Sequence, residues 1–299
     1  MRILVTGGTG LIGSNIVRKL MEDGHDVLIT GHDAEQKLKG FTGKYLQPSF
    51  LGIDWDAIGH IDAVIHEAAI NDTTNMDRAE MFRANADSSK ALFDYVVKNG
   101  CKRIVYASST AIYGDLTPPY QETMTPKPLN PYAESKVALD ALAMQVAKDH
   151  PDVTVVGLRY CNVYGRGESH KGSRATMIYQ LAHQMKQHAP RIFTDGEQKR
   201  DYIYVKDVVT ANMLALAAKE SCIVNCGSGV ATTFNRIIEI LNGVLGTQWK
   251  PDYIDNPYQG RYQDYTLCDM SLAKEKLGFV PAFSIESGIR DYYESGFLV

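Results

Sequence analysis

Residues 5–17 read VTGGTGLIGSNIV, glycines at even spacing between a branched run and an apolar helical pattern. Gly7, Gly10 and Gly13 stand three apart, and Gly8, Gly10 and Gly13 also satisfy GxGxxG. Glycine here allows a tight turn, close approach of backbone to a pyrophosphate and close helix-to-sheet packing, while the helix N-terminus adds partial positive charge. The triplet alone says little. At the junction between a first strand and a first helix it predicts a dinucleotide site lined by Gly7, Gly10, Leu11, Ile12 and Gly13.

Outward from that turn the chain alternates. Short, nearly unalternated branched runs at 2–6, 26–30, 62–66, 103–107 and 153–158 fit strands covered on both faces. Helical segments at 11–23, 77–99 and 131–149 separate them, which predicts an α/β, Rossmann-type doubly wound parallel sheet. Residues 31–60 show no clear period and carry no assignment. Past residue 160 the pattern predicts a helix over 174–188, short strands within 191–204, a helix at 206–218, a strand at 222–226 and helices at 232–245, 271–277 and 285–296. The resulting division is an NAD(P)-binding domain over 1–160 and a smaller α/β, mainly substrate-binding region over 161–299, intercalated with the first.

The composition narrows the function classes. A chain of 299 residues, 44% hydrophobic, buries a large core without staples. Its net charge of −4 and scattered basic residues offer no concentrated positive face for nucleic acid. No apolar run reaches the about 18 residues that span a bilayer, and a strand beginning at residue 2 leaves no room for a signal peptide, so the expected location is cytoplasmic. Five cysteines, Cys101, Cys161, Cys222, Cys226 and Cys268, fit free thiols of a reducing compartment, four of them in or beside apolar runs. None forms a CxxC pair with histidines at zinc spacing, so no metal site is expected.

The second strand ends VLITGHD, with Gly31 and His32 where an acidic residue would grip the adenosine ribose. Losing that carboxylate removes a repulsion against a 2′-phosphate and favours NADP, with NAD as the alternative; His32 and Lys37 are the candidate phosphate partners. Further on, YASSTAIYG follows the fourth strand and NPYAESK opens the helix at 131, so Tyr132 and Lys136 share one helix face. A phenol near pKa 10 is a poor base at neutral pH, and an adjacent ammonium together with an oxidised nicotinamide favours its phenolate.

Taken together, the glycine turn, the SST run and YxxxK resemble the extended short-chain dehydrogenase/reductase superfamily. Within it the chain resembles the ADP-L-glycero-D-manno-heptose 6-epimerase family over nearly its full length, through HEAAINDTTN, RYCNVYG, HKGSRA, KRDYIYVKDV and GRYQDYT. That resemblance implies Ser109 as the hydroxyl that bonds the reacting oxygen, Tyr132 as one acid/base, Lys136 as its tuner and Lys171 as the second acid/base. It also implies Ala68, Ala69 and Val163 beside the nicotinamide half of the cofactor, with Asn85 steadying the neighbouring strand. Asn162, Ser173, Gln180, Phe193, Arg200, Arg261 and Tyr262 would line a pocket for a nucleotide-diphosphate sugar. The sequence departs from the family pattern at Gly31, at Gln180 in place of a histidine, and in a shorter loop before Arg200.

The chemistry this implies is oxidation of a sugar carbinol to a transient ketone and its reduction from the opposite face, without net redox change. A ring carbon can be inverted by turning the sugar over; an exocyclic carbonyl can instead rotate, which brings its oxygen to a second proton carrier. Lys171 suits that second position, and as a loop lysine it equally suits a solvated surface charge. A UDP-hexose 4-epimerase shares every class-level motif and is the alternative. A 4,6-dehydratase would need an acidic pair where Ala111 and Ile112 follow Thr110, and a cofactor-sensing binding protein tends to lose the tyrosine and lysine present here. The resemblance further implies a homodimer or larger homo-oligomer through 77–99 and 131–149, where Met81, Leu92, Val96, Leu139, Leu142 and Val146 look surplus to one sheet contact.

Overall fold

The computed structural model describes residues 1–32, 37–47, 58–255 and 265–299. Arg261 and Tyr262, and most of the stretch left unassigned in the sequence, lie outside the described residues.

Seven parallel strands form the central sheet in the order β10-β6-β5-β4-β1-β2-β3. In chain order they are β1 (Arg2–Thr6), β2 (Asp26–Thr30), β3 (Lys44–Gln47), β4 (Ala63–His66), β5 (Arg103–Ser109), β6 (Thr154–Tyr160) and β10 (Cys222–Cys226). The branched runs read as doubly covered strands are so covered: Ile3, Leu4, Val5, Val64, Ile65, Ile104 and Val155 are buried on both faces of the sheet. β1 lies between β2 and β4, so the order reverses at its carboxyl end and opens a crevice there. The sheet takes its edge strand β10 from beyond residue 220, beside β6.

Helix α1 (Leu11–Glu22) buries Leu11, Ile16, Val17 and Leu20 at helical spacing. The segment expected as one helix over 77–99 is α2 (Arg78–Phe82), a π-helical turn (Arg83–Asp87) and α3 (Ser88–Lys98). α4 runs Pro131–Asp149, started by the Asn130 side chain accepting from the Ala133 N–H at 2.9 Å and by Pro131 in its first turn. In the C-terminal part, α5 (Met177–Met185) is shorter than the helix expected over 174–188, because Ser169–Arg174 form a 3-10 turn broken at Gly172 (φ 55°). Then follow α6 (Val205–Leu216), α7 (Phe234–Leu245), α8 (Ser271–Leu277) and α9 (Ile285–Glu294).

Two small sheets complete the C-terminal part: β11 (Ala231–Thr233), β9 (Lys199–Tyr204) and β7 (Asn162–Tyr164); and β12 (Asp252–Ile254) with β8 (Arg191–Phe193). The three-residue strands β7, β11 and β12 gave no sequence signal because such short runs have no period to read.

Two expectations change. Met81, Leu92, Val96, Leu139 and Val146 are buried inside this one chain, the last four in the core cluster of the sheet, so they are not surplus; Leu142 alone of that set is partly open. Cys161 and Cys268, 107 residues apart, are paired, while Cys101, Cys222 and Cys226 are free. The pair meets because the buried carboxylate of Asp201 accepts from the Cys268 N–H at 3.1 Å, drawing the segment after 264 against the β6–β7 junction. Sequence spacing cannot show such an approach.

Candidate active site

At the switch point a cavity of about 660 Å³ opens over the carboxyl ends of β1, β4, β5 and β6. Its floor is the glycine turn. A Cβ on Gly13 would sit 2.2 Å from the Gly7 carbonyl oxygen, and one on Gly7, at φ 66°, would sit 2.8 Å from the Ala68 nitrogen. Both contacts are with backbone, so only glycine lets the turn close against β4. No side chain caps α1 at Gly10, which leaves its first N–H groups facing the cavity. Gly7, Gly10, Leu11, Ile12 and Gly13 all line it, and a dinucleotide fits both the volume and the donor set.

At the adenosine end stand Thr30, Gly31, His32 and Lys37. A Cβ at Gly31, φ 152°, would meet the Thr9 hydroxyl at 2.3 Å, so the missing acid also has a steric reason. Arg18 donates to the Lys37 carbonyl at 3.0 Å and holds that backbone in place. Positive charge gathers nearby: burial lowers the His170 pKa, and Lys37, Lys171 and Arg174 lower it further.

At the other end Ala68, Ala69, Ser109, Tyr132, Lys136 and Val163 line the same cavity. Asn85 does not line it. From the π-helical turn its side chain accepts from the Ile70 N–H at 2.8 Å, donates to the Ile70 carbonyl at 2.9 Å and reaches Ser135 Oγ at 3.0 Å. It ties the loop after β4 to α4 instead of lining the cofactor cavity.

The charges around Tyr132 are set by burial. The Ser109 hydroxyl bonds the phenol, yet burial holds the Tyr132 pKa above its ordinary value, and Glu67 raises it further. The expected depression by Lys136 is not present in the protein alone: the Lys136 ammonium, 5.9 Å from the ring centre, donates to the Ala107 carbonyl at 2.7 Å. Burial pushes Lys136 itself down to about 8, against the pull of Glu67 and Asp140. A cationic ring in the cavity is then the charge that can bring the phenol within range.

Lys171 lines this cavity too. Asn15 of α1 donates to the Arg166 carbonyl at 2.8 Å, and the buried Glu168 carboxylate accepts from the Gly165 and Thr176 N–H groups at 3.1 and 2.7 Å. These bonds pin both ends of the turn that carries Lys171. Burial lowers the Lys171 pKa; Glu168 opposes this and Arg174 adds to it.

Of the residues assigned to the sugar pocket, none lines the cavity among those described. Asn162 borders it between Cys161 and Val163 and donates to the Asp201 carbonyl at 3.2 Å. Gln180 Nε2 donates to the Ala175 carbonyl at 2.7 Å, Phe193 ends β8, and the Arg200 guanidinium lies 5.9 Å over the Phe234 ring. Ser173 sits on the Lys171 turn. The aspartates of KRDYIYVKDV are braces: Asp201 accepts from Ser228, Gly229 and Cys268, and Asp207 from the Ala282 and Phe283 N–H groups. Glu67, Cys161, His170 and Arg174 also line the cavity and were not picked from the sequence, although Glu67 lies inside HEAAIN.

The model of the NAD dependent epimerase/dehydratase family matches residues 3–227. The chain belongs to that family. It is 35% identical to the ADP-L-glycero-D-manno-heptose-6-epimerase of Alkalilimnicola ehrlichii, over 98% of this chain and 97% of that one. The structure of the Helicobacter pylori ADP-L-glycero-D-manno-heptose-6-epimerase is similar at TM-score 0.89 and 31% identity, covering 98% of this chain and 95% of that one. The UDP-glucose 4-epimerase of Thermotoga maritima, solved with UDP-glucose, is similar at TM-score 0.89 and 31% identity, covering 99% of each chain. In this epimerase-family chain the glycine turn, Ser109, Tyr132 and Lys136 line one cavity. Among the described residues no helix is long and apolar enough to cross a membrane.

Proposed function

We propose that the protein inverts C6 of an ADP-glycero-manno-heptose, using bound NADP. The observation that carries this reading is Lys171 lining the same cavity as Tyr132; the reading has the two residues act as proton carriers at one reacting centre. Bound nicotinamide supplies a reversible hydride acceptor. Ser109 holds the reacting oxygen, Tyr132 exchanges its proton in one epimer, and Lys171 does so in the other after the exocyclic carbonyl rotates. Lys136 remains a fixed ammonium on the Ala107 carbonyl, orienting the site electrostatically. Burial favours neutral Lys171 and so gives it a base form nearer neutral pH.

NADP is favoured over NAD by the steric bar to a side chain at Gly31 and by Lys37 lining the same end of the cavity. Arg200, Asn162, Gln180, Phe193, Ser173, Arg261 and Tyr262 remain the reading for the sugar-nucleotide contacts. A homodimer through α3 and α4 goes with this reading, supported by partly open Tyr95, Leu142 and Met144 rather than by the buried set; light scattering giving a stable monomer at micromolar concentration would remove it. The second reading, a UDP-hexose 4-epimerase, is kept by the equal structural likeness to the Thermotoga maritima enzyme. Lys171→Met separates the two. Collapse of heptose inversion by about 10²- to 10⁴-fold, with fold and cofactor content retained, supports the first; full activity on a UDP-hexose, unaffected by the substitution, supports the second.

A further inference from the structure

Glu67 is an acid at the carboxyl end of β4, beside the end of β1 where the sheet order reverses, and it opens onto the cavity next to Ala68, Tyr132 and Lys136. Its bonding is asymmetric. Asn212 Nδ2 donates to the Tyr160 hydroxyl at 2.9 Å, and that hydroxyl donates to Glu67 Oε1 at 2.8 Å. Among the described residues no donor serves the other oxygen, Oε2. The groups that feel its charge are Lys136 and Tyr132 on α4, Tyr160 on β6 and Cys226 on β10; its chain neighbour His66 is neutral.

An ammonium beside the site of a cationic ring is unfavourable by itself, and Lys136 is such an ammonium, fixed on the Ala107 carbonyl. A carboxylate in the same cavity reverses the balance. We propose that Glu67 makes the site hold oxidised nicotinamide in preference to reduced nicotinamide, and so keeps the cofactor ready to accept hydride at rest. Only the oxidised ring carries the charge that Glu67 can pair with; the dinucleotide's other charges are common to both forms and cancel in the comparison. The inference holds whichever sugar is the substrate.

Burial pushes the Glu67 carboxyl up to about 7, with the Tyr160 bond and Lys136 pulling it down. Its ionisation therefore changes within an accessible range, and the preference should fade as pH falls. The test measures the dissociation constants of NADP⁺ and NADPH separately, at pH 7.5 and 5.5, for wild type and Glu67→Gln, whose amide oxygen still accepts from Tyr160. In the wild type the preference for NADP⁺ should shrink at pH 5.5. In Glu67→Gln the ratio should move toward NADPH by about tenfold at pH 7.5, equivalent to about 1.4 kcal/mol, and become much less pH-dependent. Turnover by the variant should also leave reduced cofactor accumulating at 340 nm. An unchanged ratio in a folded Glu67→Gln overturns the proposal. Should that variant fail to fold, a wild-type ratio that is the same at both pH values overturns it instead.

Discussion

His66 should make the fold acid-sensitive, and His66→Gln should remove that sensitivity. The imidazole lies buried below the nucleotide turn, with Nδ1 2.6 Å from Thr6 Oγ1 and Nε2 2.8 Å from Ser89 Oγ. Ser89 already donates its one proton to the Asn85 carbonyl at 2.7 Å, so it accepts from Nε2–H. Nδ1 must then be bare, accepting from Thr6, whose oxygen in turn accepts from the Ala68 N–H. A second ring proton would put a charge in this buried position beside the Lys136 charge; burial first and Lys136 second push the His66 pKa from 6.5 to about 3. The native state thus binds fewer protons than the unfolded chain between these values. Stability is fully present above 6.5 and is lost as pH falls toward 3, by about 2 kcal/mol at pH 5 and about 5 kcal/mol at the limit. Glu67 works in the opposite sense: its raised pKa makes the native state bind more protons between 4.5 and about 7. That contribution is common to both proteins, so the difference between them isolates His66. The assay is urea unfolding at pH 7.5 and 5.0. Glutamine keeps a donor and an acceptor but loses the ring packing on Phe93, so the variant starts less stable and should lose about 2 kcal/mol less than wild type on acidification. Equal losses would show that the imidazole is not held neutral.

Further outcomes follow from the same geometry. Gly13→Ala places a methyl 2.2 Å from the Gly7 carbonyl oxygen and should cost about 1–3 kcal/mol in a thermal melt, with nicotinamide retention lost in parallel. Asn85→Ala leaves the Ile70 N–H and carbonyl without their partner, so cofactor affinity measured by titration should weaken while Tyr132 and Lys136 stay in place; stability should fall by about 1–3 kcal/mol. Tyr132→Phe and Lys171→Met should each retain residual hydride transfer with a different epimer, read as reduced cofactor formed at 340 nm when each epimer is supplied separately; identical residual profiles would contradict opposite roles.

The architecture was legible because its strands announce themselves: five branched runs became β1, β2, β4, β5 and β6, and the glycine turn fell between β1 and α1. The candidate cluster was legible for a different reason. Tyr132 and Lys136 are bound by helical spacing, and Ser109 by its place at the end of β5, so local geometry nearly determines their meeting. What the sequence hid depended on distant approach or on electrostatics. Cys161 and Cys268 gave no sign of their pairing, and the apolar residues on α3 and α4 look surplus until the depth of the sheet contact is known. Glu67 resembles an ordinary residue of a quoted motif until Tyr160 and Lys136 are seen around it. The Tyr132 pKa was misjudged for a related reason: spacing places the lysine near the phenol, but the Ala107 carbonyl takes its ammonium.

The most direct measurement is proton NMR of ADP-D-glycero-D-manno-heptose incubated with catalytic amounts of the purified protein and its retained cofactor. The account predicts inversion at C6 to an equilibrium mixture without net cofactor reduction, and loss of that inversion in Lys171→Met. No change in the heptose, with inversion at C4 when UDP-glucose is supplied instead, would contradict it.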